Sequence, residues 1–576
     1  MSSNESVDDV AIDPERADTV DTLAARSRFG FDLEPAIDLL QAVRVERESH
    51  DLIDQPLAIA SRELGAQPLL EHGRQVAMDG TNDGVDVVHT IQYHERPTSL
   101  MAMVASDSDG WVVRTELGGT APTAPGETLV SLVHLTDMHV LDAASPARAE
   151  WVELEADDPL FGPLLHMHRP YDTLTAFALH AHVRAIASDP VGAVTGRPFD
   201  IAVSTGDNID NAQRNELDAY LAIMAGGVAQ LSARGSAQDA SADHERPWPY
   251  WSPDSAVPDA WRKLGYPTVD EFIERVSAPI TSTGIGIDWT SVPGNHDVMR
   301  QGTALPTSAL ESIAIGPTKS LRRPHGFAPA SPLDAYLDAP EAFSAGPAFA
   351  IEAVPARRAI DRVEWIEQHV RSGARGFTLA NAADRCADAV IDLDHVRLIL
   401  LDTNHPDGDY QGSIGVAQLA WLDERLGETD RDGQLAIIVS HHGADSLVNE
   451  RGANPDRRLA DSFTSVVHRH PCAIAWLVGH RHINRIEPRR GESGGFWEIT
   501  TSSTIDWPSQ TRAIEVVRHL DGMIELICTM RDHDDEPGGL AALHRDLAHR
   551  FTQTGAATRM AGREGDGNVR LLLPRG

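Results

Sequence analysis

Five times along this chain a short apolar, β-branched run ends in a cluster of Asp, Asn and His. Leu129–Leu135 runs into Asp137-Met-His139, and Phe199–Ser204 into Gly206-Asp207-Asn-Ile-Asp210. Thr290–Val292 is followed by Gly294-Asn295-His296-Asp297, Leu435–Val439 by His441-His442-Gly443, and Ala473–Val478 by Gly479-His480-Arg481-His482. Runs this short and apolar read as buried strands. A further run, Val396–Leu401, leads into Asp402-Thr403. Helical spacing lies between the runs: Val416, Leu419, Leu422 and Leu426 share a face of 415–426, and 172–188 reads as another helix. Thr268 with Glu271 forms a capping-box pattern ahead of Phe272 and Ile273. Ile514–Val517 and Met523–Cys528 flank Asp521-Gly522, a hairpin signal. The scheme predicts an α/β fold with its sheets covered by helices.

Length and composition frame that scheme. The 576 residues suit either several domains or one enlarged by insertions, and 41% apolar residues suffice for a large core. We divide the chain into a flexible acidic arm over 1–50, a β-rich accessory segment over 51–125, a main unit over 126–530 and a C-terminal helix and tail over 531–576. The accessory segment holds the runs Val85–Tyr93, Leu100–Val104 and Trp111–Leu117, with Ala121–Gly126 as linker. From Arg550 onward the sequence reads as a poorly packed tail. Long inserts at 143–198, 231–288 and 301–385 interrupt the main unit. Net charge is −37, from 49 basic and 86 acidic residues, which argues against nucleic acid and anionic membranes as partners. Cys386, Cys472 and Cys528 are far apart, so neither a disulfide framework nor a cysteine zinc site is expected. The N-terminus has no basic region ahead of an apolar run, and no apolar stretch approaches the roughly 20 residues of a membrane span. The expectation is a soluble cytoplasmic protein.

In α/β sheets, ligand sites gather at the carboxyl ends of strands. Asp, Asn and His there form the donor set of a divalent metal site. Asp137 and His139 are two apart, as are His480 and His482, so each pair points one way while a strand continues. A carboxylate such as Asp207 can bridge two ions, and Asn295 adds a neutral carbonyl. Two ions roughly 3.5–4 Å apart can clamp both oxygens of an in-line displacement at phosphorus and turn water into a hydroxide nucleophile. Simpler readings apply elsewhere. The pairs His166/His168 and His180/His182 read as structural. His405 is a candidate to line the pocket, and Arg300 and Arg481 are candidates for a substrate phosphate, against plain solvation. Gly491–Gly495 reads as a turn rather than a phosphate-cradling loop. The Trp- and Pro-rich insert around Trp248, Trp251 and Trp261 reads as loop packing, with a partial lid as the sharper alternative.

Together the five blocks, in this order, resemble the calcineurin-like metallophosphoesterase superfamily over roughly 128–530. The run Gly415-Val-Ala-Gln-Leu-Ala-Trp421-Leu422, after Leu401-Asp402-Thr403, resembles its phosphodiesterase-like branch. The long inserts resemble a bacterial subgroup whose members often carry a twin-arginine export signal, which this N-terminus lacks. The resemblance implies a four-layer α-β-β-α sandwich with long insertions, and makes 126–530 the catalytic domain. It implies two divalent transition metal ions, Fe, Mn or Zn. Asp137, His139, Asp207 and His482 would hold the first; Asp207, Asn295, His441 and His480 the second. Gly443 stands where the family often has proline, and leaves His441 and His442 as alternatives. His296 would be the acid to the leaving group or a clamp on the phosphate, oriented by Asp210. The implied activity is hydrolysis of a small phosphate ester, mono- or diester, by a metal-activated hydroxide. A nuclease of the same superfamily, or a metal-stabilised scaffold without turnover, are the alternatives.

Overall fold

A computed structural model describes residues 90–96, 99–106 and 110–574, apart from 156–157, 162–163, 165–167, 242–248, 255–258, 260, 493, 534, 536–537, 553–561 and 564. The expected arm over 1–50, and with it His166 and Trp248, lie outside the described residues. An antiparallel hairpin, β1 (Thr90–Arg96) and β2 (Ser99–Ser106), comes first. Next come β3 (Val112–Arg114), β4 (Gly126–Leu135), α1 (Thr175–Ser188), β5 (Ile201–Ser204), α2 (Arg214–Ala225) and β6 (Trp289–Ser291). After α3 (Arg362–Arg371) the chain builds a second sheet from β7 (Ala389–Leu393), β8 (Val396–Leu400), β9 (Leu435–Val439), β10 (Ala473–Val478), β11 (Arg485–Gly491) and β12 (Gly494–Thr500). Helix α4 (Val416–Asp432) precedes β9 and α5 (Ala460–Val467) precedes β10. The chain then returns with β13 (Thr511–His519), β14 (Met523–Arg531), α6 (Leu540–Thr552) and β15 (Val569–Pro574).

The first sheet has seven strands in the order β3-β15-β14-β13-β4-β5-β6, the second six in the order β7-β8-β9-β10-β12-β11. Strands β4, β5 and β6 are mutually parallel, as are β8, β9, β10 and β12. Side-chain alternation sets the layers. Leu398, Leu400, Ile437, Val439, Leu477 and Ile499 join one core with Leu132, Ile201, Ile514 and Leu526 of the other sheet. Their neighbours Ile399, Leu401, Ile438 and Trp476 face the opposite way, onto Leu422 and Leu426 of α4 and Phe463 and Val467 of α5. Every residue from Leu129 to Leu135 is buried, so β4 is covered on both faces; α1 and α2 supply the second cover through Leu179, Val183, Leu217 and Ile223. The result is the α-β-β-α sandwich.

Three expectations fail locally. Residues 569–574 are no loose tail: Val569, Leu571 and Leu573 are buried, and β15 pairs with β14 in the interior of the seven-stranded sheet. Strand β3, expected within an accessory segment, pairs with β15 and edges that same sheet. The helix Phe272–Val276 forms, but without its capping box. Glu271 has φ 54° and makes no side-chain cap, and Asp254 instead accepts from Phe272 N at 2.8 Å and Ile273 N at 3.2 Å. Trp251 is buried against Tyr266 and Phe272, with ring centroids at 5.5 and 5.1 Å, so it serves packing. All three cysteines are free. Among the described residues no helix is long and apolar enough to cross a membrane.

Where α1 meets α6, His182, His533 and His544 are buried together. The rings of His182 and His533 lie 5.1 Å apart, edge to face, and His182 Nε2 lies 3.3 Å from Ser509 Oγ. Burial, with the Arg545 guanidinium beside them, holds all three imidazoles below the ordinary value of 6.5, His544 down to about 3. Folded, they stay neutral below pH 6.5, while the unfolded chain takes up protons. Stability should therefore fall as pH drops from about 6.5 towards 4, by up to about 1.4 kcal/mol per pH unit for each histidine. Urea unfolding at pH 7 and pH 5 should show a lower midpoint at pH 5. The triple variant His182→Gln/His533→Gln/His544→Gln should flatten that difference.

Candidate metal centre

The loops that follow β4, β5, β6, β9 and β10 converge at one end of the sandwich. The first two run side by side: Asp137 N donates to Gly206 O at 3.0 Å, His139 N to Asp207 O at 2.9 Å and Val140 N to Asn208 O at 3.0 Å. Asp137 and His139 do not continue the strand, as their spacing had led us to expect. Both have positive φ, 52° and 40°, as do Asp207 at 50°, His480 at 67° and His482 at 54°. Five of the seven expected ligands thus sit in the left-handed region, which costs of the order of 1–3 kcal/mol each and persists only where the surroundings hold it. Gly294 shows how tight these surroundings are. A Cβ there would lie 2.2 Å from Asp207 Oδ1.

Donor atoms gather around two points. At the first, His482 Nε2 lies 3.2 Å from His139 Nε2 and 3.3 Å from Asp137 Oδ1, and His139 Nε2 lies 3.7 Å from Asp207 Oδ2. At the second, Asn295 Oδ1 lies 2.9 Å from His441 Nε2 and 3.2 Å from His480 Nδ1, and His441 Nε2 lies 3.1 Å from Asp207 Oδ2. Asp207 Oδ2 belongs to both. His441 and His442 part company here. His442 engages Thr403 Oγ1 at 2.8 Å through Nδ1 and Tyr410 O at 3.0 Å through Nε2, so both its nitrogens are occupied.

The chemistry of this donor set fits cations. Burial alone would raise the Asp207 carboxyl and lower the imidazoles around it. Against that, His441, His296 and His139 hold Asp207 well below the carboxylate range. In return Asp207 and Asp137 lift His441, and Asp137 and Asp506 lift His482, each to about 9. Protons on these two rings supply the positive charge that divalent ions would bring. His480 is held well below its usual value by burial and then by His442 and His441, and so presents a free nitrogen.

His296 sits beside the donors. Its ring is 4.4 Å from that of His139, and its Nδ1 donates to Asp210 O at 2.8 Å, with the Asp210 carboxylate at 3.3 Å. The closer imidazole to that carboxylate is His139, whose Nδ1 is 3.1 Å from Asp210 Oδ1. Asp210 therefore stands behind two histidines, not one. Gly302, which sequence reasoning missed, backs His296 and Asn295. Its carbonyl accepts from Asn295 Nδ2 at 2.9 Å, turning Oδ1 towards the donors, and a Cβ on it would lie 2.3 Å from His296 Nε2. Asp506 was also missed: its Oδ2 lies 2.6 Å from His482 Nδ1. It follows β12 as the other motifs follow their strands, so the same rule could have found it. Arg148, which reaches Asp210 from the first insert, has no such signal.

The remaining candidates fall away from the donors. Arg300 is fully buried, 2.6 Å from Glu311, and donates to Asn211 O and Arg357 O. Arg481 pairs with Asp445 at 3.3 Å. His405 is buried, with Nδ1 accepting from Asp407 N at 3.1 Å. His168 lies 3.4 Å from Asp172. Gly491 and Gly494 close the β11–β12 turn.

A prediction about protons follows from His441 and His482. In the metal-free protein both hold a proton up to about pH 9. Ligation needs the bare nitrogen, so at pH 7 metal loading should release about two protons, fewer above pH 9. Affinity should rise with pH over the same range. Calorimetric titration with Mn²⁺ in buffers of different ionisation enthalpy reads the proton count directly; an enthalpy independent of buffer would contradict it.

No protein-family model matches the chain. A manganese-dependent ADP-ribose/CDP-alcohol diphosphatase of Xenopus tropicalis is 29% identical over 108 residues, 18% of this chain and 29% of the relative. The chain thus spans less than a third of that relative's length. Among solved structures, a dimetal phosphatase from Danio rerio aligns over 71% of this chain and 98% of its own, at 14% identity and TM-score 0.37. The sulfate thiohydrolase SoxB of Thermus thermophilus aligns over 75% and 62%, at 12% identity and TM-score 0.26. The ordered motif blocks, which converge on paired donor clusters, resemble those of the calcineurin-like metallophosphoesterase superfamily, and part of the chain is similar to part of a manganese-dependent diphosphatase.

Proposed function

We propose that the protein hydrolyses a small phosphate ester or diphosphate at a dinuclear centre. Asp137, His139, Asp207 and His482 would hold one ion; Asp207, Asn295, His441 and His480 would hold the other. The observation that carries this reading is Asp207 Oδ2, shared by two clusters of donors. When bound, two divalent ions supply Lewis acidity and a water acidic enough to act as nucleophile near neutral pH. Similarity to a manganese-dependent ADP-ribose/CDP-alcohol diphosphatase favours a small diphosphate substrate and manganese. Net charge −37 favours a small molecule over nucleic acid.

The chain's own groups then divide the work. Asp207 would be the ligand common to both ions, and it accepts from His296 N at 2.8 Å, which ties the acid to the shared carboxylate. His296 Nδ1–H donates to Asp210 O, so Nε2 is the nitrogen left to face substrate. Burial pushes this imidazole down, but the carboxylates of Asp207 and Asp210 outweigh it and raise the net value, which keeps a proton available for the leaving oxygen.

Chelated protein reloaded with Mn²⁺, Zn²⁺ or Fe²⁺ and offered an aryl phosphomonoester, an aryl phosphodiester and a nucleoside diphosphate ester tests the reading. Hydrolysis should appear only on reloading; activity that survives exhaustive chelation would sink it. His296→Ala should cut turnover by about 100-fold or more with poor leaving groups and less with good ones, while metal content stays at two. An equal loss for both leaving groups would make His296 a phosphate clamp, and loss of one ion would make it a ligand.

A further inference from the structure

The two donor clusters are backed differently. Behind the second stand neutral backbone carbonyls: Thr205 O lies 2.8 Å from His441 Nδ1, and Gly302 O accepts from Asn295 Nδ2. Behind the first stand two buried carboxylates. Asp210 Oδ1 is 3.1 Å from His139 Nδ1, and Asp506 Oδ2 is 2.6 Å from His482 Nδ1. Each carboxylate is in turn held by an arginine of the insert over 143–198. Arg169 grips Asp506 with two bonds, Nε to Oδ1 at 2.6 Å and Nη2 to Oδ2 at 2.8 Å, and Tyr171 Oη donates to Oδ1 at 3.1 Å. Arg148, fully buried, donates through Nη1 to Asp210 Oδ2, through Nη2 to Asp172 Oδ2 at 2.6 Å and through Nε to Glu150 Oε1 at 3.0 Å. Asp172 Oδ2 also accepts from Arg169 N at 3.1 Å, which joins the two arms.

We propose that this insert is the outer layer of the first metal site: Arg148, Arg169 and Asp172 act as positioning residues which, through Asp210 and Asp506, fix His139 and His482 as ligands. The proposal rests on the dinuclear reading and adds to it a role for residues the motifs do not contain. A neutral imidazole has one N–H and one lone pair, and the partner of Nδ1 decides which nitrogen is bare. With Nδ1–H donated to Asp210 or Asp506, Nε2 is bare in both rings; that of His139 lies 3.7 Å from Asp207 Oδ2 and that of His482 3.3 Å from Asp137 Oδ1. The carboxylates can do this only if they stay ionised and still, and the bidentate Arg169 and the buried Arg148 secure both. An ion-pair network that merely anchored the insert would have no reason to end, by both its arms, on the outer nitrogens of the two histidines at one site.

The test is metal binding, not turnover. Full-length protein, stripped and titrated with Mn²⁺, is read by calorimetry and by the electron paramagnetic resonance signal that separates coupled from isolated Mn²⁺. Wild type should take up two ions and give the coupled signal. Asp506→Asn keeps shape and volume, and Arg169→Gln changes a partly accessible side chain; each should weaken one ion by about 10- to 100-fold, leave the other unchanged and yield the isolated signal. Arg148→Met should do the same through His139. Arg357→Met is the control, since Arg357 is buried on Asp142 at 2.7 Å in another insert. It should lower the melting temperature without changing either ion. Two ions bound as in wild type by Asp506→Asn and Arg169→Gln, or both ions weakened together, would overturn the proposal. Wild type that binds no metal would instead overturn the dinuclear reading, and the proposal with it.

Discussion

Asp207 places a nearly buried carboxylate between two groups of imidazoles, one oxygen facing both, and Asp137, Asp210 and Asp506 add three more buried acids within a few ångströms. Burying a carboxylate costs several kcal/mol unless charge and hydrogen bonds replace its water. Much of what surrounds the site answers that cost. His441 and His482 hold protons when no ion is present, Arg148 and Arg169 neutralise Asp210 and Asp506, and loop N–H groups point inward, as His296 N does to Asp207 and His480 N to Asp137. The left-handed backbone at Asp137, His139, Asp207, His480 and His482 belongs to the same account: strain tolerated where donors must converge.

The sandwich delivers those loops. Parallel strands β4, β5 and β6 in one sheet, and β8, β9 and β10 in the other, end on the same side, and the shared core between the sheets fixes the two sets of ends against each other. His480 and His482, two residues apart after β10, serve different clusters: His480 lies with Asn295 and His441, His482 with Asp137 and His139. One short turn thus couples the geometry of the two sites.

Much of this was legible in the sequence, because apolar runs ending in Asp, Asn or His are local signals. The six runs became β4, β5, β6, β8, β9 and β10, and the residues expected as ligands lie together. What stayed hidden depends on contacts distant in sequence. Helix Phe272–Val276 is capped by Asp254, eighteen residues upstream, rather than by its own capping-box pattern. Strand β15 is a short apolar run, Val569 and Leu571 to Leu573, whose partner β14 lies beyond α6. Likewise, no local pattern announces that Thr403 and Tyr410 engage the two nitrogens of His442, which sets it apart from His441. Arg148 and Arg169 carry no motif at all, since their bonds to Asp210 and Asp506 exist only once the first insert has folded against the strand ends.

Anomalous scattering from crystals grown with Mn²⁺ reads directly whether two ions share Asp207. Two peaks about 3.5–4 Å apart should appear on either side of Asp207 Oδ2, one bonded to Asp137, His139 and His482, the other to Asn295, His441 and His480. A single peak, or a second ion bonded to His442 in place of His441, would contradict this assignment.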